Sequence, residues 1–185
     1  MSDRDSFVDD FTFRRARDDD VTAITRLNLR LAAETEDKAL APDTLRRGVS
    51  RGFLQFPEVQ YFVAEHGHQV IGQLMLTREW SDWRDGWMLW LQSVYVVQPL
   101  RRQGVFRRLL QYALATVGED TQAIGLRLYV ERENAAAIAA YKRLGFDDAG
   151  YSIQEIVPLS DDAFSALPSD NKRSAAQASA SHPPG

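Results

Sequence analysis

The sequence predicts an α/β fold in which one mixed β-sheet carries helices on both faces. Segments rich in β-branched and aromatic residues alternate with segments of helical periodicity, in the order β-α-α-β-β-β-α-β-α-β. The chain of 185 residues, 44% of them hydrophobic, has the length and composition of one globular domain. About six to seven strands and about four helices are expected, because each strong periodic segment supplies one element.

The first half of the domain is predicted to hold one strand, two helices and a hairpin. Residues 11–17 form the strand, and the three aspartates that follow are the acidic first turn of a helix over residues 21–31. Pro42 is a natural first residue for the second helix. Residues 61–77 contain two β-rich runs, which meet in a short turn at Gly67 and therefore form a hairpin.

The second half alternates strands with helices, which favours a sheet with crossover connections. A long strand over residues 88–97 precedes a helix that begins near Gly104. Residues 124–130 form the next strand, and a helix capped by Asn134 follows. Residues 146–157 supply the last strand or strand pair.

The two ends of the chain differ in composition from the part between them. Residues 1–10 are polar and rich in aspartate, which predicts a disordered N-terminal tail. The domain is expected to span residues 11–159. Residues 160–185 form a C-terminal extension that becomes a Ser/Ala/Pro-rich, disordered tail from about residue 169.

Composition excludes several classes of function. Without cysteine there is no disulfide, thiolate zinc site or cysteine nucleophile, and His66 and His68 beside Gly67 lack the acidic partners of a metal site. A net charge of −4 argues against nucleic-acid binding. No apolar run approaches the roughly 20 residues that cross a bilayer, so a cytoplasmic protein without membrane contact is expected.

The segment most informative about function is QSVYVVQPLRRQGVFRRLL, residues 92–110. A strand runs into a loop with Arg101, Arg102 and Gly104, and a helix begins at once. Helix N-termini present unpaired N–H groups and a partial positive charge, so this loop suits a pyrophosphate. An ordinary strand-to-helix turn with solvated arginines is the alternative.

This segment resembles the acetyl-coenzyme A loop of the GNAT superfamily of N-acetyltransferases, R/Q-x-x-G-x-G/A after a strand like VYVVQP. Arg101 and Gly104 match the first and fourth positions, whereas Phe106 stands where the family usually has Gly or Ala. The resemblance extends over residues 11–159 and implies the GNAT fold, with acetyl-coenzyme A as cosubstrate and no metal.

A second segment, LRLYVERENAAAIAAYKRLGF over residues 126–146, is similar to the family's strand–helix unit. The resemblance implies that a β-bulge near Val94 splays two strands apart, so that the pantetheine arm inserts between them. Asn134 is either a pantetheine ligand or a plain helix N-cap, and Arg107 is either a phosphate ligand or a solvated side chain. The expected coenzyme-binding residues are Val94, Val96, Arg101, Arg102, Gln103, Gly104, Val105, Phe106, Arg107 and Asn134.

The resemblance also implies how the proton transfers are divided. Tyr141 matches the family's tyrosine that protonates the departing sulfur, and a core tyrosine is the alternative. Relatives with a defined base often have Glu where this chain has Gln92, which cannot accept a proton but can position polar groups. Either Glu79 or another loop carboxylate is expected to act as the base through water, or the acceptor is a weaker amine; an N–H near Val94 is the expected donor to the thioester oxygen.

All four tryptophans lie in EWSDWRDGWMLW, residues 79–90. The cluster is either hydrophobic packing, including a homodimer contact, or an aromatic and acidic lining for a cationic amine. In the second interpretation, the acidic residues of this hairpin and the acidic residues that follow the first helix together line the acceptor site. The candidate acceptor-binding residues are Glu34, Glu36, Trp80, Asp82 and Trp83.

The leading hypothesis is an enzyme that transfers acetyl from acetyl-coenzyme A to a primary amine of a small molecule. One alternative is an inactive acyl-coenzyme A-binding regulatory module, because Gln92 and Phe106 depart from the pattern of the active relatives. The other is a protein or peptide N-acetyltransferase, which needs an open groove.

Overall fold

The computed structural model describes residues 11–35, 37–118 and 122–157. One sheet contains five strands in chain order: β1 Phe11–Arg15, β2 Val59–His66, β3 Gln69–Ser81, β4 Gly86–Val96 and β5 Ala123–Arg127. The four α-helices are α1 Val21–Thr35, α2 Pro42–Phe53, α3 Val105–Gly118 and α4 Ala135–Arg143. The first four strands pair antiparallel and β5 pairs parallel to β4, which confirms the predicted α/β fold with a mixed sheet.

Helices cover both faces of the sheet because its central strands are apolar on both sides. Tyr61 and Val63 of β2 pack with Ile24 of α1 and Val49 of α2. Phe62, between them in sequence, belongs to the opposite cluster, which contains the buried face of α3 and the half-buried Tyr141 of α4. The two-residue period of β2 therefore assigns α1 and α2 to one face and α3 and α4 to the other.

An ion-pair network fixes the start of α1. Both terminal nitrogens of Arg14 donate to the carboxylate of Asp20, at 2.7 and 2.9 Å, and one also donates to Glu65 at 2.5 Å. Asp20 also accepts the backbone N–H of Arg17. Burial alone would raise the pKa of Asp20, but the hydrogen bonds from Arg14 and Arg17 outweigh it and lower that pKa. The network therefore fixes the position of α1, whose C-terminal end contributes to the candidate active site described below.

The predicted last strand is wrong for the residues that the structure describes. The sheet has five strands there instead of six or seven, and residues 147–157 contain neither strand nor helix. A strand needs ladder hydrogen bonds to a neighbour, and alternating apolar residues alone do not supply them. The described residues fall into two units, with the boundary between Phe146 and Asp147.

The tails predicted for residues 1–10 and from about residue 169, and residues 158–159 of the predicted domain, lie outside the described residues. Among the helices that the structure describes, none has both the length and the apolar character needed to cross a membrane. No group of three or more potential metal-ligating side chains occurs within the described ranges.

Candidate active site

A bulge in β4 opens the sheet between β4 and β5. Ser93 and Val94 of β4 together stand opposite the single residue Leu74 of β3, and Ser93 has a positive φ of 50°. The pairing of β4 with β5 ends at Trp90 and Arg127, although β4 continues to its last residue. Because β5 ends at Arg127, six residues of β4 run on without a parallel neighbour, and the unpaired edge of β4 that begins there is called the slot below.

The slot leads to the loop in front of α3. Arg102 and Gly104 have positive φ values of 65° and 79°, which turn successive N–H groups toward a common concavity. The first hydrogen bond at this helix end runs from Arg108 N to Gly104 O, at 3.0 Å. Within the described chain, the N–H groups from Arg102 to Arg107 donate to no acceptor. Unpaired N–H groups and the helix dipole together are a suitable environment for an anion.

The arginines around this loop take different positions. Arg101 turns away from the free N–H groups, since its Nε donates to the carbonyl of Val96 at 2.7 Å. Arg102 and Arg107 are exposed. The guanidinium of Arg108 lies 4.9 Å from the ring centre of Phe13 on β1. The cationic groups that flank the loop in solvent are therefore those of Arg102 and Arg107.

Arg101 instead joins the loop in front of α3 to the end of α1. Its NH2 group donates to Glu34 at 2.5 Å, and its guanidinium lies 5.1 Å from the ring centre of Tyr95. The Tyr95 hydroxyl donates to the other oxygen of Glu34 at 2.5 Å. The hydrogen bond from Tyr95, followed by that from Arg101, lowers the pKa of Glu34 despite its partial burial. Glu34 is thus held as a carboxylate at neutral pH.

A cavity of about 430 Å³ lies between the end of α1, the loop in front of α3 and the residues before α4. Three carboxylates and one guanidinium contribute to its lining, so it is mainly acidic. The lining residues are Glu34, Thr35, Gln98, Arg101, Glu131, Glu133 and Asn134. Asn134 is the N-cap of α4, because its Oδ1 accepts the N–H of Ala137 at 3.0 Å.

Tyr141 lies on α4 between two phenylalanines. Its ring centre is 6.0 Å from that of Phe106 and 5.7 Å from that of Phe146, with interplanar angles of 81° and 66°. Burial raises the pKa of its hydroxyl. That hydroxyl has no hydrogen-bond partner within the described ranges. The bulky Phe106 therefore packs on α4 while its backbone N–H stays in the loop.

On the α1 face, a polar network lines the place where β4 and β5 part. Gln92 donates to Thr77 at 2.7 Å and accepts from the Tyr129 hydroxyl at 3.1 Å. Glu79 accepts from the Trp90 indole at 2.5 Å and from Arg127 at 3.0 Å. Its carboxylate thus holds two partners, although 46% of the side chain remains exposed.

The structure separates the acidic residues that the sequence grouped around the acceptor. Glu79 lies beside Met88, and Glu34 is bound by Tyr95; these two β4 residues are roughly 20 Å apart at the rise of a strand. Asp82 is exposed in the hairpin turn, where its Oδ1 accepts the N–H of Trp83. Glu36 lies outside the described residues.

The tryptophans are also divided between the two faces of the sheet. Trp80 packs edge-on against Trp87, with ring centres 5.1 Å apart, and Trp87 lies on the same face of β4 as the buried Leu89 and Leu91, which face α3. Trp90 points to the other face, where its ring lies 6.2 Å from that of Tyr129. Trp83 at the turn is 86% exposed. The four rings therefore do not line a single cavity.

Sequence reasoning missed Tyr95, Arg127, Tyr129 and Gln73 as residues of this region. The first three stand in β-rich runs, where an aromatic or charged residue is ordinarily read as sheet surface. Gln73 offers a clearer signal, because it is a glutamine inside the apolar run VIGQLML. A polar residue in such a run indicates a buried hydrogen-bond partner.

A bulged strand that parts from its parallel neighbour, and leads to free N–H groups at a helix N-terminus, defines the acetyltransferase class of α/β protein. The chain belongs to the acetyltransferase (GNAT) family, whose model matches residues 22–146. This confirms the resemblance found in the two sequence segments. The family uses acetyl-coenzyme A.

Relatives and solved structures agree with this assignment. The chain is 29% identical over 146 residues to an N-alpha-acetyltransferase of Saccharolobus solfataricus, covering 74% of this chain and 80% of that protein. It is 30% identical to an N-alpha-acetyltransferase of Sulfurisphaera tokodaii, covering 75% and 81%. A crystal structure described as a possible acetyltransferase from Clostridium difficile 630 has a TM-score of 0.72 and 41% identity, covering 79% of this chain and 96% of that one.

Proposed function

We propose that the protein is an acetyl-coenzyme A-dependent N-acetyltransferase that acetylates a primary amine by direct attack on the thioester. The observation that carries the proposal is the continuity between the slot beyond Trp90 and the free N–H groups from Arg102 to Arg107. A linear cosubstrate with a pyrophosphate at one end and an acyl thioester at the other fits such a path. The unpaired backbone of β4 suits the pantetheine amides.

The coenzyme-binding residues of this proposal act mostly through their backbone. The N–H groups of Gln103, Gly104 and Val105 face the pyrophosphate, and Arg102 and Arg107 add positive charge in solvent. Val94 and Val96 offer strand hydrogen bonds to pantetheine. The amide nitrogen of Asn134 is available to donate to pantetheine, because only the side-chain oxygen is used in capping α4.

The chemical step joins the amine nitrogen to the acetyl carbonyl carbon. As the carbon–nitrogen bond forms, the oxygen gains negative charge, which the N–H of Val94 stabilises. The carbon–sulfur bond then breaks, and Tyr141 donates its proton to the departing thiolate. A phenol with a pKa raised by burial is fully protonated at neutral pH and can make this donation.

The proton on the attacking amine leaves through water, with Glu79 as the proposed acceptor. Its carboxylate is the acidic group beside the Gln92–Tyr129 pair, and it remains partly open to solvent. A lysine-like amine with a pKa near 10.4 costs about 4–5 kcal/mol to deprotonate at pH 7, whereas an α-amino group with a pKa near 8 costs about 1.4 kcal/mol. Acceptors with weakly basic amines are therefore favoured.

The proposed acceptor is a small molecule whose primary amine approaches Gln92 from the α1 face. The cavity at the end of α1 is lined by Glu34, Glu131 and Glu133 against the single guanidinium of Arg101, so the local field there favours a cation. Trp80, Asp82 and Trp83 would contribute only to acceptors long enough to reach the hairpin. A homodimer through the exposed Trp83 remains a separate expectation for that hairpin.

A polypeptide N-terminus is the second candidate acceptor, because two relatives are named N-alpha-acetyltransferases. The same pKa argument favours it, since the group to be acetylated is an α-amine. Trp83 and Tyr129 are both exposed, and Tyr129 hydrogen-bonds to Gln92. The surface around Gln92 is therefore accessible to the end of a polypeptide chain.

Coenzyme A release tests the proposal and distinguishes the candidates. Purified protein is mixed with acetyl-coenzyme A and one of three acceptor groups: polyamines and lysine-like amines, free amino acids, or short peptides with unblocked N-termini. Release with the free amines supports the small-molecule acceptor, and release with peptides alone supports the second candidate. Coenzyme binding without release for any acceptor would identify a regulatory acyl-coenzyme A-binding module instead.

A further inference from the structure

Gln73 is a buried polar residue directly behind the bulge of β4. Only 1% of its surface is exposed. Its Nε2 donates to Asn28 Oδ1 on α1 at 2.5 Å and to the carbonyl oxygen of Ser93 at 3.2 Å. One amide group thus connects α1, β3 and the residue of β4 that has the positive φ.

We infer that Gln73 is a positioning residue that holds the β4 bulge in the shape required to bind acetyl-coenzyme A. The inference rests on the proposed function, because the bulge matters only where a coenzyme inserts beside it. Gln73 lies inside the sheet, and it acts through the backbone of Ser93 and Val94.

The orientations of the Gln73 and Asn28 side-chain amides follow from the Ser93 carbonyl. A backbone carbonyl can only accept, so the Gln73 amide must turn its nitrogen toward Ser93. The same nitrogen then faces Asn28, which must present its oxygen. Each amide therefore has one orientation, although side-chain amides elsewhere are often ambiguous.

The cost of this arrangement points to a role beyond packing. Gln73 Oε1 is buried and has no hydrogen-bond partner in the described part of the chain. An unsatisfied buried polar atom is unfavourable, whereas an apolar side chain of the same size would avoid that cost. The amide nitrogen therefore accounts for the presence of Gln73, and its two acceptors are Asn28 on α1 and the Ser93 carbonyl at the bulge.

The bulge determines where the next N–H groups of β4 point. Ser93 leaves the regular strand conformation, and Val94 follows it in the part of β4 that lies beyond the last pair with β5. If the Ser93 carbonyl loses its hydrogen bond from Gln73, that bond no longer stabilises the positive φ of Ser93. The strand can then relax toward regular pairing. The expected consequence is misplacement of the N–H groups that face pantetheine and the thioester oxygen.

The test compares Gln73→Met with Gln60→Met. Gln60 is a matched control on β2, because it is 7% exposed, donates Nε2 to the Pro57 carbonyl at 3.1 Å and also has an unpartnered buried Oε1. Both substitutions remove a buried amide at nearly constant volume. Gln73→Met should lower kcat/KM for acetyl-coenzyme A roughly tenfold or more, whereas Gln60→Met should stay near wild type at a similar loss of thermal stability.

A second variant separates the donor role from general destabilisation. In Gln73→Glu the introduced carboxylate cannot donate to Ser93, but the protonated acid can. Burial raises the pKa of such a carboxyl, so protonation falls within an accessible pH range. Coenzyme binding by this variant, measured by calorimetry relative to wild type at each pH, should recover as the pH is lowered from about 8 to about 5.5.

The outcomes distinguish this inference from the proposed function. If wild-type protein fails to bind acetyl-coenzyme A, the proposed function is wrong and the inference has no basis. If wild type binds but Gln73→Met and Gln60→Met behave alike, the positioning role is wrong and the proposed function stands. A pH-independent defect in Gln73→Glu would equally exclude the donor role. Selective loss in Gln73→Met, with recovery of Gln73→Glu at low pH, supports the inference.

Discussion

Glu34 and Arg101 form an ion pair with a nitrogen–oxygen distance of 2.5 Å, although 67 residues separate them in the chain. Glu34 is at the end of α1, and Arg101 begins the loop in front of α3. The elements proposed to receive the acceptor and the coenzyme are thus joined by one contact, which Tyr95 supports from β4.

Replacing Glu34 with Gln should reduce stability in a pH-dependent manner. The Tyr95 and Arg101 hydrogen bonds lower the pKa of Glu34 in the folded protein, so its contribution is present above the unfolded value of about 4.3. That contribution is lost as the pH falls through the lower folded value. Urea unfolding should show a deficit of about 1 kcal/mol or less at pH 7, because the pair is partly exposed. The deficit should shrink below about pH 4; a constant deficit would contradict the assignment.

Gly104→Asp should abolish acetyl-coenzyme A binding. Gly104 has a φ of 79° in the loop of free N–H groups, and the added carboxylate would repel the pyrophosphate. Gly67→Asp is the control, since Gly67 also has a positive φ and open space around an added Cβ but lies in the β2–β3 turn. Calorimetry should detect binding by the control only. Equal binding by both variants would remove the basis for the phosphate loop.

Tyr141→Phe should lower kcat by roughly 100-fold or more and leave coenzyme affinity nearly unchanged. The substitution keeps the ring between Phe106 and Phe146 and deletes only the proton donor. Because burial raises the pKa of Tyr141, this residue keeps its proton at every pH below about 10. Over that range, deprotonation of Tyr141 should not reduce the wild-type kcat. Turnover of the variant at the wild-type rate would assign Tyr141 to packing alone.

Gln92→Glu should increase the rate with strongly basic amines near neutral pH. The substitution introduces a carboxylate beside the slot, where the Thr77 hydroxyl can rotate to donate to it. With lysine-like amines, kcat/KM at pH 7 should rise about tenfold or more, and the gain should disappear near pH 10, where the amine is already neutral. A rate equal to that of wild type across this range would show that deprotonation of the amine is handled elsewhere.

The acceptor preference should follow charge and amine pKa together. Small cationic amines and α-amines should be preferred over glutamate, because Glu34 and Glu79 are the carboxylates of the proposed acceptor face. A series of kcat/KM values between about pH 6.5 and 9 checks this preference, with rates expected to rise with pH. Preference for glutamate would exclude the acidic face as a determinant.

The sequence by itself determines the features that depend only on residues a few positions apart in the chain. Pro42 starts α2, Asn134 caps α4, and Gly145, with a φ of 90°, follows the end of α4. The coenzyme loop is equally local, since a strand, a glycine and a helix start are contiguous. Such features are readable because their hydrogen bonds close over one turn or one strand exit.

Tertiary structure alone decided which distant side chains meet. The register of β3 and β4 sets Trp80 directly against Trp87 on the α3 face, and this pairing across two strands cannot be read from the spacing of the tryptophans in the sequence. The contact between Gln73 and Ser93 likewise depends on a bulge that shifts this register. Strand pairing moves a side chain to the opposite face with each one-residue shift, so these contacts are properties of the whole sheet.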